Sequence, residues 1–320
     1  MKVSILIPCY NAEPFLAHAL ESALRQERPA DEVVVVDDAS TDASTAIAAR
    51  YPVRLVRLER NSGQSVARNA AVRASTGEVL VWLDADDWFE PRHVAVVVGL
   101  LERYPAAAVA FSAVRLRGTM SGVFGGRLPS REGPTDLFWQ CLVDTVVPPM
   151  SAAVRRPALE RVGGYDERFR FAADFDLWLR LSRRERFVST EEVTSNYRRH
   201  DRQASMQPRQ QRRAVYESRR LLLERLVAEG EAPLAERVAL RMEEIWAAQL
   251  RAEWGARDID ALRFLLDLAP LLPRAEAAKR YRWRTRIPRS LIAGWDRLRA
   301  AGGRARSAAR PANHQPVEPT

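Results

Sequence analysis

The sequence predicts an α/β fold in which a mostly parallel sheet is flanked by helices and followed by a C-terminal helical appendage. Three observations carry that expectation. Short apolar runs alternate with stretches of helical period from Val3 to Leu83, in the order β-α-β-α-β-α-β, which calls for right-handed crossovers and helices on the faces of the sheet. The runs Val33 to Val36 and Val79 to Leu83 are uninterrupted rather than alternating, as in strands buried on both sides. Three strands also end in polar clusters, Pro8 to Asn11, Asp37 to Asp42 and Asp84 to Asp87. Ligands of such sheets bind outside the carboxyl ends of the strands, so three clusters at one edge define a site.

In order, Val3 to Ile7 is the first strand, with Pro8, Cys9, Tyr10 and Asn11 at the turn that leaves it. A helix from about Glu13 to Gln26 follows, with Leu16, Ala19, Leu20 and Ala23 at helical spacing. Val33 to Val36 is the next strand, and Ser40 or Thr41 is placed to cap the helix from Asp42 to Arg50. Arg54 to Leu58 reads as a third strand and Gln64 to Ser75 as a third helix. Past the fourth strand, Ala106 to Leu116 and Ser151 to Val154 are strand-like, and Arg117 to Glu132, rich in glycine and polar residues, is expected to be a loop over the site. After Gln207 the period is helical throughout, with helices expected at Arg212 to Glu229, Pro233 to Trp254 and Asp258 to Leu272.

Asp84, Asp86 and Asp87 put three carboxylates within four residues. They repel one another unless a cation or water compensates them. Hard oxygen ligands suit Mg²⁺ or Mn²⁺, which are often held by one or two carboxylates with water and substrate phosphates completing the shell. An acidic loop before a helix beginning near Pro91 is the plain structural alternative. The first strand is followed neither by a Gly-x-x-x-x-Gly-Lys-Ser/Thr loop nor by a Gly-x-Gly-x-x-Gly fingerprint, so any phosphates are expected to be neutralised by metal and arginine.

With 320 residues, of which 47% are hydrophobic, the chain is long enough for a sizeable core. No apolar run approaches a membrane span and Met1 to Ile7 does not read as a signal peptide, so the expected location is the cytoplasm. Cys9 and Cys141 fit neither a disulfide framework nor a metal-ligand spacing. The net charge of +9 is confined to one segment: Arg274 to Arg310 holds 12 basic residues against Glu276 and Asp296, while the chain before it is balanced. Within it, Leu291, Ile292, Trp295 and Leu298 share a helical face flanked by Arg289, Arg297 and Arg299. That pattern suits peripheral contact with an anionic membrane, with a helix docked on the protein as the alternative and no nucleic acid expected.

Several stretches together resemble the family 2 glycosyltransferases with the GT-A fold, a Rossmann-like nucleotide-sugar domain. They are Val3 to Asn11, Val35 to Asp42, Asn61 to Asn69, Leu83 to Asp87, Gly163 to Asp166, Asp174 to Arg180 and Tyr197 to His200. The resemblance covers about the first 205 residues. It implies an inverting, metal-dependent transferase that uses a nucleotide-diphospho-sugar, with a UDP-sugar favoured, and a glycan or lipid-linked acceptor in cell-surface polysaccharide synthesis. By this resemblance Pro8, Tyr10 and Asp38 line the base and ribose, Asp38 accepting from the nucleobase, and Arg68 faces the diphosphate. Asp84 lies beside the sugar or ribose, Asp86 is the metal ligand and Asp87 supports it. His200 sits near the diphosphate or its metal. Asp174 is the general base, where Ala173 replaces the glutamate often found in the family. Asp176 is the fallback base, and an N-cap is the structural alternative for Asp174.

The organisation implied is a catalytic domain over 1–207, with a nucleotide-sugar half (1–104) and an acceptor half (105–207). A helical appendage (208–273), a basic amphipathic segment (274–306) and a disordered tail (307–320) follow. Two other readings are a non-catalytic protein on the same fold that binds membrane or nucleic acid through its tail, and a nucleotidyltransferase. The latter would carry a glycine-rich basic loop where Pro8 to Asn11 stands.

Overall fold

The structure, a computed structural model, describes residues 1–119, 121–125, 133–200, 203, 207–256 and 258–272. The basic segment and the terminal tail lie outside the described residues, as does part of the loop expected over the site.

Strand β1 (Val3–Cys9) is buried along its whole length. It leads through α1 (Leu16–Leu24) to β2 (Glu32–Asp37), then through α2 (Ser44–Ala48) to β3 (Arg54–Arg57) and through α3 (Gln64–Ala74) to β4 (Val79–Trp82). These four strands pair in parallel in the order β3-β2-β1-β4. Ile5, Ile7, Val33, Val35, Val79 and Val81 form part of a core shared with Leu16, Leu20 and Ala23 of α1. Gly77 lets the chain enter β4. Its N–H donates to Ser4 Oγ at 2.8 Å, and a Cβ there would lie 2.6 Å from the Ser4 backbone nitrogen.

The chain continues through β5 (Trp88–Phe89), α4 (His93–Arg103), β6 (Ala107–Gly118), β7 (Gly122–Gly125), α5 (Phe138–Val143), β8 (Ala152–Arg155), α6 (Arg156–Arg161) and α7 (Ala173–Ser182) to the long β9 (Arg186–Arg199). β8 joins β4 antiparallel and carries the sheet on to β6, which pairs in parallel with β9, while β5 closes the edge antiparallel to β9. The result is a mixed sheet with helices on its faces and a parallel nucleotide half.

Helix α8 (Pro208–Ala228) follows, then α9 (Ala232–Ala256) and α10 (Ile259–Asp267). The chain divides into two compact units after Arg225, inside α8. The middle of α8 is tied to the first unit. Ser218 Oγ donates to Asp176 at 2.9 Å, and Arg219 donates to the carbonyls of Leu142 and Val143 at 2.8 Å each. In the second unit, Val238, Met242, Trp246 and Leu250 of α9 are buried together with Leu262 and Leu265 of α10. Trp246 Nε1 donates to the Leu265 carbonyl at 2.9 Å.

Candidate active site

Because β1 pairs in parallel with β2 and β4, with Cys9 beside Asp37 and Leu6 beside Trp82, the segments that leave these strands emerge at one edge. They open onto a cleft of about 780 Å³. Pro8, Tyr10, Asp38, Arg68, Asp84, Asp86, Asp174 and His200 all line it.

The turn after β1 is locked to the turn after β2. Asn11 and Ala39 both take left-handed φ, 49° and 59°. The Asn11 N–H donates to Ser40 Oγ at 2.9 Å, and Thr41 N–H donates to Asn11 Oδ1 at 2.8 Å. Ser40 and Thr41 are thus spent on Asn11 and do not cap α2, contrary to the sequence expectation; α2 begins from Ala43 with no side-chain cap. Asp37 is structural, accepting from Thr45 Oγ1 at 2.8 Å and lying 3.4 Å from Arg57. Asp38, 3% exposed, accepts from the Ser62 and Gly63 N–H groups at 2.7 and 2.8 Å, one on each oxygen. A carboxylate has further lone pairs for a ligand donor. Tyr10 is exposed at the mouth. Burial pushes the Cys9 thiol up to about 12, against a hydrogen bond to Ser44, so it stays a neutral thiol.

Arg68 lies in α3, 2% exposed, with an Nη–Oδ1 distance of 2.8 Å to Asp84. Burial works against its charge, but Asp84, Tyr165 and Asp174 outweigh it and hold the guanidinium above its ordinary value. Asp84 also accepts from Gln64 at 3.2 Å. Asp86 Oδ2 is 3.0 Å from His200 Nε2, whose ring stacks on Phe15, and 3.4 Å from Gln203 Nε2. Burial pushes the Asp86 carboxyl up, Asp84 adds to this and His200 opposes it. Asp87 is buried and accepts from the Arg198 N–H at 2.8 Å, while its Oδ2 has no hydrogen-bond partner among the described residues. Burial and then its neighbours Asp86 and Asp84 push it well above the ordinary carboxylate range. Arg198 completes the support, donating from Nε to the Asp86 carbonyl at 2.9 Å over the faces of Phe15 and Trp88.

Asp174 sits in the first turn of α7, whose N-cap is Ala172 in a left-handed conformation without a side-chain cap bond. It is therefore not the N-cap. Burial pushes its carboxyl up and the Arg68 charge pulls it back. Asp176, the fallback base, points elsewhere. It pairs with Arg180 at 2.7 Å, accepts from Ser218 and is absent from the cleft lining. Two stretches far apart in sequence are joined behind the site: Asn69 donates to the Tyr165 carbonyl at 2.8 Å and accepts from its N–H at 2.9 Å. Gly164, with φ 72°, leaves the room this needs, since a Cβ there would lie 2.8 Å from Asn69 Oδ1.

Among the described residues no three His, Cys, Asp or Glu side chains converge as a ready metal cage. Asp86 and His200 nevertheless suit Mg²⁺ or Mn²⁺. They supply an oxygen and an imidazole donor side by side, 3.0 Å apart, and two protein ligands suffice when water and phosphates complete the shell. Sequence reasoning missed Gln203, Arg170, Phe124, Gln207 just before α8, and the α8 residues Gln211 and Val215, all of which line the cleft. They come from segments without a recognisable motif.

The family model for glycosyl transferase family 2 matches residues 4–163. The chain belongs to that family, and the cleft lies where its GT-A type sheet presents the strand ends. Among individual relatives, succinoglycan biosynthesis protein ExoO of Rhizobium meliloti (strain 1021) is 42% identical over 108 residues, covering 33% of this chain and 30% of ExoO. The chain spans about a third of the length of the first curated relatives it matches. In fold it is similar to S. aureus TarS 1-349 in complex with UDP-GlcNAc (TM-score 0.63, 18% identity, 87% of each chain). It is also similar to the mannosyltransferase PcManGT from Pyrobaculum calidifontis in complex with GDP-Man and Mn2+ (TM-score 0.56, 22% identity, 84% of this chain and 74% of that one). No helix among the described residues is long and apolar enough to cross a membrane.

Proposed function

We propose that the chain is an inverting glycosyltransferase that moves a sugar from a nucleotide-diphospho-sugar to a glycan or lipid-linked acceptor in cell-surface polysaccharide synthesis. The observation that carries this reading is that Asp84 and Asp86, after β4, and Asp174, at the start of α7, line the same cleft. That brings a donor-side acid pair and a separate acceptor-side carboxylate together. A UDP-sugar is the favoured donor, a choice supported by the complex of TarS with UDP-GlcNAc. ExoO, by its name, acts in polysaccharide synthesis, which supports the class of product.

In this reading Pro8 and Tyr10 hold the base and ribose, and Asp38 offers its remaining lone pairs to the nucleobase. Arg68, 2.8 Å from Asp84, orients that carboxylate beside the sugar or ribose and faces the diphosphate with it. Asp86 and His200 would hold Mg²⁺ or Mn²⁺, which when bound stabilises negative charge on the departing diphosphate. Asp174 takes the proton of the attacking acceptor hydroxyl on the face opposite the leaving group, so the anomeric centre inverts. The raised carboxyl makes Asp174 a better proton acceptor than an exposed aspartate. The chain works in the cytoplasm, with the basic segment 274–306 holding it at the inner face of the membrane. The test is a panel of nucleotide sugars with purified protein and Mn²⁺, reading release of free nucleoside diphosphate. One donor should be turned over well above the rest, and no release from any donor would end the transferase reading.

A further inference from the structure

The cleft is chemically two-sided. Its ionisable lining residues, Asp38, Arg68, Asp84, Asp86, Asp174, Arg170 and His200, come from the segments after β2, β4 and β9, from α3, and from the start of α7 and the chain entering it. The wall built by β7, the segment before β8 and the start of α8 contributes no charged residue among those described. Phe124, Thr145, Met150, Gln207, Gln211 and Val215 line it.

That wall is held in place rather than loosely apposed. Gly125, with φ 74°, brings the β7 hairpin so close to Pro148 that a Cβ would lie 2.9 Å from the proline Cγ. Arg219, buried in α8, fastens that helix to the Leu142 and Val143 carbonyls just before Thr145. Phe124 remains 39% exposed and meets Tyr197 edge-on, their ring centroids 6.4 Å apart. A soluble protein exposes a fixed aromatic face inside a cleft at a cost, and a ligand with an apolar face relieves it.

Resting on the transferase reading above, we infer that this wall is the acceptor subsite and that it selects an uncharged sugar ring. A pyranose offers one face of C–H groups to stack on Phe124 and a rim of hydroxyls for amide and hydroxyl side chains of the kind supplied by Gln207, Gln211 and Thr145. A carboxylate or phosphate at the same place would leave water with no cation among the described residues of this wall to meet it. The acceptor therefore ends in a neutral hexose or N-acetylhexosamine, and Phe124 sets its affinity without touching the donor.

The test uses the full-length protein, the donor it turns over and p-nitrophenyl glycosides as acceptor probes: glucoside, galactoside, N-acetylglucosaminide and glucuronide. Neutral glycosides should stimulate nucleoside diphosphate release and the glucuronide should not. Phe124→Ala should raise the KM for the neutral acceptor roughly tenfold, with kcat at saturation and the donor KM within about twofold, and Phe124→Tyr should restore the acceptor KM. The inference is overturned if the glucuronide is used as well as the glucoside, or if Phe124→Ala leaves the acceptor KM unchanged. It is overturned too if the donor KM rises in parallel. Donor turnover to free sugar that no neutral glycoside stimulates would overturn the acceptor assignment and leave the transferase reading standing. No turnover of any donor would remove that reading and this one together.

Discussion

Asp84, Asp86 and Asp87 lie within four residues of one another in sequence, and their surroundings differ. Asp84 is matched by the buried Arg68, Asp87 is anchored to the Arg198 backbone, and Asp86 faces His200 across 3.0 Å. Of the three, only Asp86 combines access to the cleft with a neighbouring imidazole, which is why the proposed metal role falls to it. In the proposed reading Asp86→Ala removes one of two protein ligands and leaves developing diphosphate charge without its stabiliser, a loss of roughly several kcal/mol in the transition state. Turnover should fall by orders of magnitude, and a chelator should do the same to the unaltered protein until Mn²⁺ is returned. Kinetics of the variant indistinguishable from those of the parent protein, or full activity in EDTA, would remove Asp86 from that role.

Helix α4 shows how an element is tied to the sheet by one buried titratable group. His93, its first residue, lies at 0% exposure, stacks on Phe89 at 4.0 Å and has Nδ1 2.7 Å from Thr194 Oγ1 of β9. Burial lowers its pKa from 6.5 to about 3. Below pH 6.5 the unfolded chain therefore binds a proton that the folded chain refuses. Stability from this group is complete above pH 6.5 and declines as the pH falls towards 3, by roughly 1.4 kcal/mol per pH unit. His93→Asn, which keeps a polar partner for Thr194, should flatten the acid side of the stability profile relative to the parent protein in urea titrations; parallel profiles would show that His93 is protonated in the fold. The elements legible in the sequence were those whose burial leaves a one-dimensional trace. β1, β2 and β4 are buried strands that appear as apolar runs, unbroken in β2 and β4 and interrupted only by Ser4 in β1, and the polar clusters at their ends marked the site. β9, fourteen residues long, carries arginines, glutamates, serines and threonines, because its sheet partners and not its own apolarity secure it. Its existence was not legible, and neither was that of the short β5, β7, α5 and α6. The same distinction divides the cleft: the residues on strand ends carried a pattern, while Phe124, Gln203 and Gln211 acquire their place only when β7, the chain after β9 and α8 fold against the sheet.

At the scale of the whole molecule, charge and chemistry are kept apart. The catalytic stretch is electrically balanced and the positive excess lies beyond Pro273, where basic residues near an anionic surface gain about 1 kcal/mol each. Truncation after Pro273 should abolish sedimentation with anionic liposomes at low salt while leaving transfer to a soluble acceptor in place. Liposome binding that survives truncation would separate the tail from any membrane role. The central claim, however, is that one cleft holds a donor by its strand-end acids and deprotonates an acceptor through Asp174. Asp174→Asn keeps the shape of the side chain but cannot take a proton, so it separates binding from chemistry. The decisive measurement is the kcat of Asp174→Asn beside its calorimetric donor affinity. A kcat lower by about three orders of magnitude with a donor Kd within a few-fold of the parent value is the predicted result, and retained turnover, or donor binding lost together with it, would contradict the account.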